Sequence, residues 1–220
     1  MNHKLQSFLR AIHPRFLAMD IGRLVCFSSV FIIRLKKYHV SGKPYNARLK
    51  GGAIISANHT SFLDPFVINT IFRYRRHFWL AAEVLMSNKI GRPFLKGMGC
   101  IEIDRHHTDL NAIKKCIKVL KSGRVLTVFP QGGISNEGEV ENLKSGAVLM
   151  ALQANVPILP IYFEKTGKRW FNYRAVIGDA IDCNALCPKK MPSLSDMQML
   201  TDTLQVKINE CKEVCERLGN

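Results

Sequence analysis

Acidic residues are scarce in this chain. Asp and Glu number 17 against 32 Lys and Arg, for a formal net charge of +15. That imbalance points to an anionic partner: nucleic acid, an anionic membrane surface, or a phosphorylated or acidic-carrier substrate. No recognised nucleic-acid motif accompanies the charge, so a nucleic-acid partner is not expected. A Cys-x-x-Cys pair is also missing. Seven cysteines, an odd number in 220 residues, do not make a disulfide framework, and a reduced cytosolic setting follows. Cys183 with Cys187, or Cys211 with Cys215, could be taken for metal pairs. The latter two fall on the apolar stripe of the last predicted helix, and ordinary core thiols are the expectation. The Gly-x-Ser-x-Gly elbow is absent, which leaves Ser61 as a capping residue and not a nucleophile. Repeats and low-complexity segments are absent as well.

No apolar run reaches the roughly twenty residues that span a bilayer. The most apolar stretch, Leu24–Ile33, is bounded by Asp20 and Arg23 on one side and by Arg34, Lys36 and Lys37 on the other. No small-residue cleavage site follows it, so a signal peptide is not expected. Residues 1–50 hold ten Lys and Arg and one acid, Asp20. Leu5, Phe8, Leu9 and Ile12 recur at helical spacing before Pro14 interrupts, and a second apolar stretch covers 16–35. Basic residues flanking an apolar face suit a helical hairpin lying in an anionic leaflet. Residues 1–37 are therefore read as a membrane-docking segment. Two alternatives stay open: helices packed on the domain, or a single span starting near Phe16.

What the chain does have is alternation. From residue 38 on, short β-rich runs at 38–41, 53–58, 78–82, 100–103, 125–129, 158–163 and 173–178 are interleaved with helical patterns. The spacing predicts helices over 109–121, capped by Thr108, over 145–152, and over about 195–218. Such alternation implies an α/β fold with a mostly parallel sheet flanked by helices, and residues 38–220 are long enough for one domain with a sizeable core. Chemistry in such sheets gathers at the carboxyl ends of strands. Asn58-His59, Asp104-Arg105 and Pro130-Gln131-Gly132-Gly133 each follow a predicted strand.

The segment Asn58-His59-Thr60-Ser61-Phe62-Leu63-Asp64-Pro65 is the most telling. Thr60 and Ser61 read as helix caps, which puts His59 where a strand ends and Asp64 about one turn into the next helix. A carboxylate so placed can orient an imidazole, which can then take a proton from a hydroxyl. His106 and His107, near Asp104 and Asp109, suggest a metal site only weakly. They are adjacent, and a solvated loop is expected there, so no metal is assigned.

Four blocks stand in order: Asn58-His59 with Asp64-Pro65, Gly99–Arg105, Val128–Gly133, and Val156–Ile161. In order and spacing they resemble the glycerolipid acyltransferases, the family of 1-acyl-glycerol-3-phosphate acyltransferases, over about residues 40–180. The resemblance implies transfer of a fatty acyl group from an acyl-CoA or acyl-carrier-protein thioester to a glycerolipid hydroxyl, at the cytoplasmic face of a membrane. The partners it implies are membrane lipids and that acyl donor. A thioester is already activated, so no cofactor is expected beyond the donor substrate. His59 matches the family's base and Asp64 its orienter. Arg105 matches the arginine that contacts the acceptor's phosphate, and Gln131, Gly132 and Gly133 fall in the substrate-binding third block. Pro157 and Pro160 match a block associated with the acyl site, or simply enter and leave a strand. Backbone N–H groups near His59 could serve the oxyanion.

The third block departs from the family's usual Phe-Pro-Glu-Gly-Thr-Arg. Gln131 stands for the acid, Gly133 for the threonine and Ile134 for the cation. Gln131 keeps an acceptor oxygen but no charge. Either another base such as Lys144, Lys168 or Arg169 compensates, or the acceptor is a glycolipid or another lipid alcohol. A catalytically silent lipid-binding protein of the same fold is the remaining alternative.

Overall fold

Ala53-Ile54-Ile55-Ser56-Ala57 is apolar without alternation, a pattern that needs cover on both faces of a sheet. In the computed structural model this segment is strand β2 (Ala53–Ala57), and every residue of it is buried. The structure describes residues 33–82, 91–104, 109–132, 143–167, 171–189 and 191–219. The docking segment assigned to residues 1–37 lies outside them up to residue 32. Around β2 run β1 (Arg34–His39), β3 (His77–Ala82), β4 (Cys100–Ile103), β5 (Val125–Val128), β6 (Ile158–Lys165) and β7 (Asn172–Ile177). The seven strands form one sheet in the order β1-β7-β6-β2-β5-β3-β4. Every neighbouring pair is parallel except β6 and β7.

The sheet is the mostly parallel one the alternation implied, but its first strand begins earlier. Arg34, Leu35, Lys36 and Lys37 pair with Asn172, Tyr173, Arg174 and Ala175. These residues, assigned from sequence to the docking segment, therefore lie in the sheet. Their charge hid them: β1 is an edge strand, and edge strands carry exposed lysines and arginines that discourage further pairing.

The helices are α1 (Asp64–Ile71), α2 (Gly91–Gly97), α3 (Leu110–Lys121), α4 (Gly146–Ala154), α5 (Cys183–Leu186) and α6 (Leu194–Arg217). Alternate strand residues feed two cores. Ile54, Leu126, Ile158 and Tyr162 pack with Cys116 and Leu120 of α3, Val148 of α4, and Leu204 and Ile208 of α6. On the opposite side Ile55, Val125, Leu159, Ile161 and Phe163 pack with Val67, Ile68 and Ile71 of α1. Cys183, Cys187, Cys211 and Cys215 are buried in the first core. Burial pushes the Cys183 thiol up to about 11 and the Cys211 thiol up to about 12, so neither supplies thiolate near neutrality. The cap of α3 is Asp109, whose Oδ1 accepts from Ala112 N at 2.9 Å, and not Thr108 as the sequence suggested. Among the described residues no helix is long and apolar enough to cross a membrane.

The amino-terminal ends of β2 and β5 are tied by Arg75. Its guanidinium donates to the carbonyls of Leu49 (2.6 Å), Gly51 and Gly123 (3.0 Å). Gly52, just ahead of β2, passes so close to the end of α3 that a Cβ there would overlap the Leu120 carbonyl oxygen. Backbone cannot swing aside as a side chain can. Gly52→Ala is expected to destabilise the fold by about 1–3 kcal/mol, read as a lower urea midpoint at unchanged slope.

Candidate active site

Strand β2 does not stop cleanly at Ala57. Asn58, 1% exposed, continues the pairing with its side chain. Its Nδ2 donates to Phe163 O and its Oδ1 accepts from Phe163 N, each at 2.9 Å. This amide clamp to β6 fixes the direction in which the next residue, His59, leaves the sheet. Parallel pairing puts the carboxyl ends of β2 and β5 side by side, so Phe129 and Gln131 meet His59 at one edge. The imidazole stacks on the Phe129 ring at 4.1 Å between centroids and 14° between planes. Trp79 backs Phe129 at 6.5 Å, and His77 backs Trp79 at 5.4 Å.

Asp64 is fully buried and opens α1, followed by Pro65. A carboxylate is favoured at that end of a helix. Its Oδ2 accepts from Thr60 N at 2.6 Å and Ser61 N at 2.8 Å, and lies 2.9 Å from His59 Nδ1. An oxygen that already receives two amide hydrogens is an acceptor, so Nδ1 is the donor and carries the proton. In the neutral ring Nε2 is then left as a base. The His59 side chain keeps 13% of its exposure while Asp64 keeps none, so the imidazole is reachable and the carboxylate that holds it is not. Tyr173 lies close by. Burial first, and the Asp64 charge second, push its phenol above its ordinary value.

The pairing of His59 with Asp64 matches the sequence expectation, but the local geometry differs. The helix begins at Asp64 and not at Thr60 or Ser61, and its cap, Leu63, makes no side-chain cap bond. The amides of Thr60 and Ser61 serve Asp64 itself. Backbone N–H groups near His59 were named as groups that could serve the oxyanion; those of His59, Thr60, Ser61, Leu63 and Asp64 have acceptors within the loop or in Gln131.

Gln131, expected to touch substrate, accepts from His59 N through Oε1 at 3.1 Å. That contact needs only an acceptor oxygen, which a neutral amide supplies as a carboxylate would. Gly132 adopts φ +74°, the left-handed region that glycine enters without strain, and closes a turn by donating to Phe129 O at 3.1 Å. Arg105 and Gly133 lie outside the described residues, as do His106 and His107. Asn58 and Phe129 were quoted in the sequence blocks without a role. The pairing of β2 with β5 and β6, invisible in a linear chain, gives them one. No group of three His, Cys, Asp or Glu able to hold a metal occurs among the described residues.

A His–Asp pair at the carboxyl edge of parallel strands, with Nδ1 held as the donor, can take a proton through Nε2. A family model described as Acyltransferase matches residues 37–164, and the chain belongs to that acyltransferase family. It is similar to the 1-acyl-sn-glycerol-3-phosphate acyltransferase of Bacillus subtilis (strain 168), 26% identical over 79% of this chain and 87% of that protein. The Streptococcus pneumoniae enzyme of the same name is 32% identical over 50% of this chain and 40% of its own length. The crystal structure of the 1-acyl-sn-glycerophosphate acyltransferase PlsC from Thermotoga maritima shares the fold. It has a TM-score of 0.60 and 19% identity, with 89% of this chain and 79% of that one covered.

Removing the Gln131 acceptor leaves the amide of His59 without its partner. Gln131→Leu is expected to lower transfer activity about tenfold and stability by about 1–3 kcal/mol. Gln131→Glu, which keeps the oxygen, should hold both near wild type in kinetic and denaturation assays.

Proposed function

We propose that this acyltransferase moves a fatty acyl group from an acyl-CoA or acyl-carrier-protein thioester to the hydroxyl of a lysophospholipid such as 1-acyl-glycerol-3-phosphate, as a step of phospholipid synthesis. The observation that carries the reading is the His59 Nδ1–Asp64 Oδ2 contact of 2.9 Å at the carboxyl end of β2. The names of the relatives supply the acceptor class. Membrane lipids and the thioester donor are then its partners. The net charge of +15 suits an anionic membrane surface and the phosphates of an acyl donor.

In this mechanism Nε2 of His59 takes the acceptor's hydroxyl proton as that oxygen bonds to the thioester carbonyl carbon. The carbon–sulfur bond then breaks, and the imidazolium returns the proton to the departing thiolate. The products are an ester and a free thiol. Asp64 holds the tautomer and stabilises the imidazolium between the two steps, as in the His–Asp half of a serine triad, with the substrate's hydroxyl in the place of the serine. The thioester is activated enough that neither a covalent intermediate nor a metal is required. Arg105, Gly132 and Gly133 are assigned to acceptor binding on the family resemblance. A second acceptor class, a glycolipid or other lipid alcohol, is favoured by one feature: Phe129–Ser135 carries no charge.

Detergent-solubilised protein should acylate a lysolipid in a panel that pairs labelled acyl-CoA and acyl-carrier protein with lysophospholipids and glycolipids, read by product mass. His59→Ala is expected to cut the rate roughly 100- to 10,000-fold. Asp64→Asn should lower kcat roughly 100-fold or more with KM nearly unchanged, because it disturbs the base and not the acyl site. Wild-type rates in His59→Ala would remove the assigned base, and donor binding without transfer to any acceptor would mark a silent binder.

A further inference from the structure

We propose that Lys144 is a cation that binds a phosphate monoester on the acyl acceptor, which makes it a specificity-determining residue of the site. The proposal rests on the acyl-transfer reading and adds the chemistry of the acceptor's head. Three features place Lys144 there. Its backbone is tied to the turn that carries Gln131, since Lys144 N donates to Pro130 O at 3.0 Å. Its side chain folds back across that turn: a Cβ on Gly132 would lie 3.0 Å from Lys144 Cε and 3.2 Å from Nζ. Lys144 is nonetheless exposed to solvent. Gly132 thus has two reasons to be glycine, the left-handed φ and the lysine stem lying over it.

From Gly132 the path to the base is short. The preceding residue, Gln131, holds the backbone of His59. The ammonium therefore lies over the turn whose Gln131 contacts His59. No other charge is available from Phe129–Ser135 themselves. Lys144 also stands just ahead of α4, whose cap Ser145 makes no side-chain cap bond. The amino-terminal end of α4 adds positive potential of its own. A lysine acts on phosphate as a point charge on a flexible stem, so it tolerates variation in the acceptor's tail while demanding an anionic head.

A phosphate monoester occurs on a lysophosphatidate acceptor and also on the donor coenzyme, and the test separates the two. Steady-state kinetics of the full chain in detergent would compare wild type, Lys144→Met and Lys144→Arg. The acceptors are 1-acyl-glycerol-3-phosphate and its neutral counterpart, monoacylglycerol, each with the acyl-CoA concentration varied separately. The expected result in Lys144→Met is a rise of about tenfold in KM for the phosphate acceptor. Transfer to monoacylglycerol and the donor KM should stay within about twofold, and Lys144→Arg should recover most of the loss. An equal fall on both acceptors, or no change on either, overturns the proposal. So does a rise confined to the donor KM, which gives the ammonium to the donor's phosphate. A binding arm decides the matter without turnover. Hexadecyl phosphate, which has no hydroxyl to acylate, should bind wild type and lose about tenfold in Lys144→Met. Equal binding by both proteins overturns the assignment. If wild type transfers to no acceptor, the proposed reaction fails, while the binding arm still judges Lys144.

Discussion

Three N–H groups converge on one oxygen of Asp64: the His59 ring at 2.9 Å and the amides of Thr60 and Ser61 at 2.6 and 2.8 Å. A buried charge without partners is costly, and breaking such an arrangement typically costs several kcal/mol. Each hydrogen bond to a charged group contributes about 1.5–3 kcal/mol. The carboxylate is therefore held by the loop it shapes, and the loop curls because the carboxylate draws its amides inward. The position of the imidazole and the identity of its protonated nitrogen both follow from this single acceptor.

The sheet supplies the rest of the rigidity. Asn58 locks the end of β2 to β6 through paired bonds with Phe163, and Phe129 at the end of β5 presses its ring on the imidazole. Gln131 holds the His59 backbone from the same side. At the far end of the strands, Arg75 and the close passage of Gly52 under α3 keep β2 in place. The imidazole is thus fixed from β5, from β6 and from α1, three elements far apart in sequence. That arrangement suits a catalyst whose task is to hold one lone pair in position for a hydroxyl.

Much of this was legible in the chain. An apolar, non-alternating run at 53–57 requires a central strand, and a histidine and aspartate at this spacing after it suggest an oriented base. What escaped was whatever depends on tertiary pairing or on a side chain with two possible uses. Arg34–Lys37 looked like a basic flank because charge on an edge strand resembles charge on a membrane anchor. Thr60 and Ser61 looked like caps because their type suits capping, yet Asp64 uses their backbone and not their hydroxyls. Gln131 looked like a weakened substrate ligand. That its oxygen faces the His59 amide could be known only once β5 was seen beside β2.

The central claim is that the Asp64 carboxylate keeps the proton on Nδ1 of His59 and leaves Nε2 as the base. Nitrogen-15 NMR of labelled imidazole, recorded above the pH at which the ring becomes neutral, reports this tautomer directly. The account predicts a protonated Nδ1 and an unprotonated Nε2 in the wild-type protein, with that preference lost in Asp64→Asn. A proton resident on Nε2 in the wild type would contradict it.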